Sequence, residues 1–208
     1  MDNRLKGLIG TGSCVIDVGC GSGHLLNDLA GQFEQRIGLD VSRRRLDEFA
    51  GGQTNGWKFY RADLNGTFPL DSRFADVVIA NQVIEHILDP LKFAEEIHRV
   101  LRPGGRCVIT TPNIRYLKHL AAIAVSGYGP RTAHGNTLDG SWDDGHLHYF
   151  THADLRELFS QTSFREVHSS AFIDLESNSR IRRWMDRSAN AYPIREFFSS
   201  CILFWAEK

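Results

Sequence analysis

Cys14-Val15-Ile16-Asp17-Val18-Gly19-Cys20-Gly21-Ser22-Gly23 is the stretch that decides how this chain folds. Its first five residues are apolar apart from Asp17, as expected of a strand buried on both faces. The glycines that follow turn the chain sharply. They let backbone N–H groups approach a ligand, with the start of a helix behind them. A dinucleotide site needs G-x-G-x-x-G, so that a pyrophosphate can sit against the helix end. Here the pattern is G-x-G-x-G, with His24 in the sixth position. That spacing favours a ligand without a pyrophosphate.

Working outward, apolar runs alternate with helical patterns. After the bend, Leu25, Leu26, Leu29 and Ala30 recur at helical spacing. Further strands are predicted over Arg36–Val41, Trp57–Ala62, Ala75–Ala80 and Arg106–Thr111. Between the last two, Phe93, Ile97, Val100 and Leu101 share one helix face, and Pro103-Gly104-Gly105 stops that helix. Five strands alternating with helices imply βαβ units and a parallel sheet. The tail differs. Thr151 and Asp154 are spaced as a capping box, and Leu155, Leu158 and Phe159 give the helix they open an apolar face. Arg165–Leu175 and Ser199–Glu207 then read as an antiparallel pair. The segment 113–151 is the least regular, and its Trp142, His146, His148, Tyr149 and Phe150 suggest a functional loop or lid. No repeat or low-complexity tract divides the 208 residues, so a single domain is the simpler expectation.

Composition sets the outer bounds. An apolar share of 42% and a charged share of 24% are ordinary for a globular protein. A net charge of −1 argues against a protein built to grip nucleic acid. There is no signal-peptide core near Met1, and no run approaches the ~20 apolar residues of a membrane span. The cysteines at 14, 20, 107 and 201 are dispersed, which indicates neither a disulfide framework nor a zinc site. The chain reads as cytoplasmic, without a membrane or nucleic-acid partner. A homodimer or a protein partner stays open.

Asp17, Asp40 and Asp63 each stand at or near the end of one of the first three strands. Any single Asp is readily a turn or cap residue. Three beside one glycine bend are harder to explain that way. From the second strand a carboxylate can reach ribose hydroxyls, and from the third it can accept from an adenine amino group while Leu64 covers the ring.

The ordered set Val15–Gly23, Ile37–Val41, Arg61–Leu64, Phe74–His86 and Leu101–Asn113 resembles the motifs of class I S-adenosylmethionine (SAM)-dependent methyltransferases. It is most similar to the type 11/type 23 group, which includes the ubiquinone-biosynthesis O-methyltransferases and methionine-biosynthesis methyltransferase-like proteins. The likeness runs from about Cys14 to Phe164. It implies an α/β, Rossmann-like fold with helices on both faces of a seven-stranded, mostly parallel sheet, in the order 3-2-1-4-5-7-6 with an antiparallel last strand. It implies SAM as cofactor and S-adenosylhomocysteine as product. Asp17, Gly19, Cys20, Gly21 and Gly23 would lie at the methionine moiety, Asp40 and Val41 at the ribose, and Asp63 and Leu64 at the adenine. Asn81, Gln82 and Val83 would lie beside the methionyl group. Few residues precede the first strand, so the N-terminal helices that often cover the substrate in this family are nearly absent, and a lid is expected from elsewhere or from a partner.

Methyl transfer needs a nucleophile aligned with the methyl carbon, and a hydroxyl acceptor must also lose its proton. Ligands of open α/β sheets sit at the carboxyl ends of the strands. This directs attention to Glu85, His86, and the 142–149 segment. His146 is the first candidate for a general base, then His148, with His86 a third candidate. Glu85-His86 is expected in the first turn of the following helix, where an acid suits the dipole and a capping role is the favoured reading. No metal is expected, although His146 and His148 with Asp143 or Asp144 form a minor alternative ligand set. Arg43, Arg44 and Arg45 read as a solvated helix face; the Arg180, Arg182, Arg183, Arg187 cluster could touch an anionic acceptor or a partner, but such runs are mostly solvated.

The expected activity is SAM-dependent methyl transfer to a small molecule, through oxygen. The main alternative is a non-catalytic or partner-dependent SAM-binding domain. An NAD(P)-dependent oxidoreductase ranks lower because the third dinucleotide glycine is missing. A nucleic-acid amino-methyltransferase is lower still, because Asn81-Gln82-Val83-Ile84 lacks the prolines such enzymes carry there.

Overall fold

Seven strands form one sheet in the order β3-β2-β1-β4-β5-β7-β6. A computed structural model describes residues 3–44, 47, 54, 56–126, 145–172 and 191–208. The strands are β1 (Gly12–Val18), β2 (Phe33–Asp40), β3 (Lys58–Arg61), β4 (Ala75–Asn81), β5 (Leu101–Pro112), β6 (Glu166–Phe172) and β7 (Cys201–Glu207). β1 pairs in parallel with β2 on one edge and β4 on the other, so that Val15 lies between Arg36 and Val77. β3 and β5 extend the parallel part. β7 runs antiparallel to both β5 and β6. The order implied by the family resemblance and the antiparallel last strand are both present.

Period-2 alternation divides the core between the two faces of the sheet. Ile16, Val18, Val78, Ala80 and Ile109 pack on one side with Phe93, Ile97, Phe159 and Phe204. Val15, Val77, Ile79 and Val108 pack on the other with Leu26, Leu29, Phe33 and Trp57. Cys14 to Val18 is buried without a break, as its apolar run requires.

Six helices are described: α1 (Asn3–Ile9), α2 (His24–Asp28), α3 (Pro90–Val100), α4 (Leu117–Ser126), α5 (His152–Ser160) and α6 (Ile194–Phe197). The Asp89 side chain caps α3 by accepting from the Lys92 N–H at 3.1 Å, and Pro90 occupies the first turn, where no backbone donor is needed. The predicted capping box opens α5: the Thr151 hydroxyl accepts from the Asp154 N–H, and the Asp154 carboxylate accepts from the Thr151 N–H.

The structure departs from the sequence expectation in three places. β5 begins at Leu101, directly after α3, and Pro103-Gly104-Gly105 lies inside it as a register shift between Ala75 and Val77 rather than as a loop ahead of the strand. The irregular 113–151 segment contains the ten-residue α4. Glu85 and His86 lie in a separate 3-10 turn (Ile84–His86), because Asp89 and Pro90 start α3 only later. Residues 127–144, including Trp142, Asp143 and Asp144, lie outside the described residues, as do Arg45, residues 173–175 and Arg180–Arg187. Among the described residues no helix is long and apolar enough to cross a membrane.

The Phe159 ring is fully buried, 4.4 Å from Phe204 and 5.4 Å from Phe164. Phe159→Ala is expected to cost about 3–5 kcal/mol by urea denaturation, whereas the partly exposed cap variant Thr151→Ala should cost only about 1 kcal/mol.

Candidate functional site

The strand order reverses at β1: the chain builds outward to β2 and β3, then returns to lay β4 on the other edge. A crevice opens at the carboxyl ends of the strands on either side of such a switch point. The glycine bend lies there. The Gly19 and Cys20 N–H groups donate to the Leu39 carbonyl at 2.7 and 3.1 Å, folding the bend over the end of β2. Gly19 has φ 76°, and a Cβ at this position would come within 2.5 Å of the Val83 side chain. Only glycine allows this close approach of the β1 and β4 ends. Gly21, at φ 51°, has no atom of the described residues within 4 Å of where a Cβ would stand. Gly23 caps α2 against Trp57, whose indole N–H donates to Asn27 Oδ1 at 3.0 Å. Cys20 is buried beside Gly38.

Asp40 joins the bend to the end of β2. Its Oδ2 accepts from the Gly21 N–H and its Oδ1 from the Ser42 N–H, each at 2.9 Å. Asp17 is 2% exposed at the end of β1. Burial, reinforced by the Asp40 charge, pushes its carboxyl up to about 8. The Ala62 N–H donates to the Asp40 carbonyl, so Asp63 begins one residue beyond Asp40's backbone partner. The exposed Asp63 carboxylate accepts from the Asn65 backbone and side-chain N–H groups at 3.0 and 3.1 Å. Asn65 Oδ1 in turn accepts from the Leu88 N–H, bringing the loop after β3 to the segment after β4. Leu64 packs partly buried against the core, and Val41 is exposed beside Asp40.

After β4 the Thr110 hydroxyl donates to Asn81 Oδ1, and the Gln82 N–H donates to the Thr110 carbonyl at 3.0 Å. Gln82 has φ 57°, a left-handed conformation uncommon for a non-glycine residue and found often at functional sites. The kink directs Val83 to Gly19 and starts the 3-10 turn that carries Glu85 and His86.

Glu85 is 1% exposed, not a solvated cap. Its Oε2 accepts from the Thr111 hydroxyl at 2.9 Å, while its buried Oε1 has no hydrogen-bond partner among the described residues. Burial raises its carboxyl above the usual range. The Glu85 carbonyl accepts from the Leu147 and His148 N–H groups at 2.8 and 3.0 Å. The His86 and His146 rings stand edge to face at 4.9 Å, and burial, with His86 adding to it, holds His146 below its usual value. His148 turns toward Phe150, 5.9 Å between ring centres. The structure therefore brings two of the three candidate histidines together and sets the third apart. Thr111 is the residue that the sequence does not point to, and Glu85, pointed to but read as a cap, is instead buried against it. The signal for Glu85 was an acid beside a histidine just past the most apolar strand, but an acid ahead of a helix is commonly a cap.

A methyltransferase-domain family model matches residues 3–169. The chain belongs to the methyltransferase domain family. It is 36% identical over 106 residues to a probable S-adenosylmethionine-dependent methyltransferase of Mycolicibacterium smegmatis, covering 49% of this chain and 39% of that protein. It is 31% identical over 126 residues to the ubiquinone biosynthesis O-methyltransferase of Parvibaculum lavamentivorans, covering 57% of this chain and 49% of that protein. The matches to these curated relatives thus span less than half of their length. Among solved structures, a SAM-dependent methyltransferase from Mesorhizobium loti superposes with a TM-score of 0.67 at 18% identity, covering 99% of this chain and 96% of that one. This methyltransferase fold implies SAM as cofactor. The residues suit a cationic adenosyl amino acid: among the described residues the open side of Gly21 leaves room for it, and a positive ligand would favour ionisation of the buried Asp17 beside the Asp40 carboxylate.

Asp17 makes the stability of this methyltransferase domain depend on pH. Its carboxyl titrates near 3.8 when unfolded and near about 8 when folded. The folded state therefore holds a proton that the unfolded state has lost, and ligand-free stability falls as pH rises between those values. Denaturation series at about pH 5 and about pH 9 should show this loss in the parent and a shallower dependence in Asp17→Asn.

Proposed function

We propose that the chain catalyses methyl transfer from SAM to an oxygen of a small molecule bound at the carboxyl ends of β4 and β5. The observation that carries this reading is the Asp40 carboxylate at the Gly19–Gly23 bend, with Asp17 buried beside it and the His86–His146 pair only a turn beyond Val83. When bound, SAM supplies a methyl group activated by a sulfonium. The bend and Asp17 would hold its amino-acid end, and Asp40 and Val41 would hold the ribose. Asp63 and Leu64 would hold the adenine, and Asn81, Gln82 and Val83 would face the methionyl part. These residues bind and orient the cofactor.

The acceptor end is formed by Glu85, His86 and the stretch Gly145–Tyr149. His146 would receive the proton of an acceptor hydroxyl, a reading supported by its ring contact with His86. His148, turned to Phe150, is the weaker candidate. The described part of the 113–151 segment, α4 and Gly145–Phe150, flanks this end and serves as the lid in a single catalytic domain. The relatives named as ubiquinone biosynthesis O-methyltransferases support oxygen as the acceptor atom.

An assay with methyl-labelled SAM over a panel of hydroxylated small molecules should detect labelled product. His146→Ala should lower kcat by about 10²–10⁴-fold with little change in cofactor affinity. Asp40→Ala should weaken SAM binding by at least about tenfold, since it removes a charge-assisted partner. SAM binding with no S-adenosylhomocysteine formed across the panel would instead establish a non-catalytic or partner-dependent SAM-binding domain.

A further inference from the structure

Cofactor binding gives no role to the buried oxygen of Glu85 or to the grouping of the two histidines next to it. One ligand-capable atom from each of Glu85, His86 and His146 lies within 4.8 Å of the others. We propose that these three residues bind a divalent transition-metal ion.

The donor set comes first. Two imidazoles and one carboxylate suit zinc, cobalt, manganese or iron, whereas magnesium and calcium favour oxygen ligands throughout. The second argument is the Glu85 oxygen itself. A carboxylate at 1% exposure keeps Oε2 on the Thr111 hydroxyl and leaves Oε1 buried with no hydrogen bond among the described residues. Unpaired buried polar atoms are rare because each loses its hydration without replacement. A cation beside Oε1 would restore what burial removed.

The third argument is the orientation of the ligands. His86 Nδ1 lies 3.0 Å from the Gly145 carbonyl oxygen. A carbonyl can only accept, so Nδ1 carries the proton and Nε2 retains the lone pair that a metal requires. Backbone carbonyls orient metal-binding histidines in this way, and the Thr111 hydroxyl does the same for Glu85. The two segments that supply the ligands are also clamped together. The Leu147 and His148 N–H groups both donate to the Glu85 carbonyl, so His146 is held across from a residue about 60 positions earlier in the chain. Bonds of about 2.0–2.2 Å place ligand atoms roughly 3.3 Å apart around an ion. The half-buried His146 ring can close that gap by side-chain rotation.

Three protein ligands leave a coordination position open, as in catalytic rather than structural sites. The consequence for chemistry rests on the O-methyl transfer reading; the binding of the ion does not. An acceptor hydroxyl at the open position would have its pKa lowered by the ion and release its proton to water. Its oxygen lone pair then forms the O–CH3 bond as the S–CH3 bond breaks, and the electron pair of that bond remains on sulfur. His146 becomes a ligand in this arrangement, and the ion takes over its part in deprotonation.

The test is titration of Co2+ into the metal-free full chain, followed by visible absorption, with S-adenosylhomocysteine binding measured by calorimetry on the same preparation. Expected are one saturable Co2+ per chain, displacement by Zn2+, and affinity lowered by more than about 100-fold in both His86→Ala and His146→Ala. Thr111→Val should lose about 10–100-fold. Circular dichroism confirms folding. Should Glu85→Gln fail to fold, the two histidine variants, which change half-buried rings, carry the result. Absence of saturable Co2+ binding, or affinity unchanged in the histidine variants, overturns the metal site. If S-adenosylhomocysteine binds but Co2+ does not, the metal site alone fails. If Co2+ binds but S-adenosylhomocysteine does not, the metal site stands and the methyl-transfer reading fails.

Discussion

Parallel pairing of β1 on both of its edges is the constraint on which the rest of the molecule depends. A strand hydrogen-bonded to β2 on one side and β4 on the other must be apolar on both faces, and Cys14–Val18 is buried throughout. The same arrangement makes the carboxyl ends of β1 and β4 the place where a crevice opens. The chain can bend there only if its residues accept positive φ and close contact, which Gly19 does against Val83. Apolar packing thus makes the opening, and glycine keeps it from closing.

The two ends of the crevice differ in electrostatics. At the β1–β2 end, Asp17 and Asp40 are buried near each other, and Asp40 is tied down by two backbone donors. There burial, with the Asp40 charge adding to it, holds Asp17 protonated, and a cationic ligand would favour its ionised form. At the β4–β5 end, one carboxylate shares its site with two imidazoles, just past the left-handed Gln82. A cofactor held at the first end and an acceptor at the second would meet near Val83, which touches the bend and precedes the 3-10 turn by one residue.

Much of this could be read in the residues. Period and composition located β1 and β4 to within two positions, because strands buried on both faces leave continuous apolar runs, whereas the start of β5 was set five residues late because Pro103-Gly104-Gly105 reads as a break. The Thr151 cap was legible because its two hydrogen bonds are local. Strand order was not readable from periodicity; it came from the resemblance of ordered motifs. Glu85 shows where local reasoning fails. Glutamate before a helix with a proline start reads as a solvated cap, and nothing in the neighbouring residues shows that Gln82 adopts φ 57° and turns Glu85 inward against Thr111, 26 residues later. Likewise, the meeting of His146 with His86 goes with the Leu147 and His148 N–H groups donating to the Glu85 carbonyl, a long-range pairing that a two-residue spacing cannot reveal.

The central claim is that the β1 bend with Asp17 and Asp40 forms an adenosyl amino-acid pocket. Thermal unfolding of the full chain with SAM, S-adenosylhomocysteine, NAD and NADP, each in excess, tests it most directly. Selective binding to the folded state must raise the midpoint by mass action. The account predicts a clear rise with SAM and S-adenosylhomocysteine and none with either dinucleotide. A rise with NAD or NADP alone, or no response to S-adenosylhomocysteine, would contradict it.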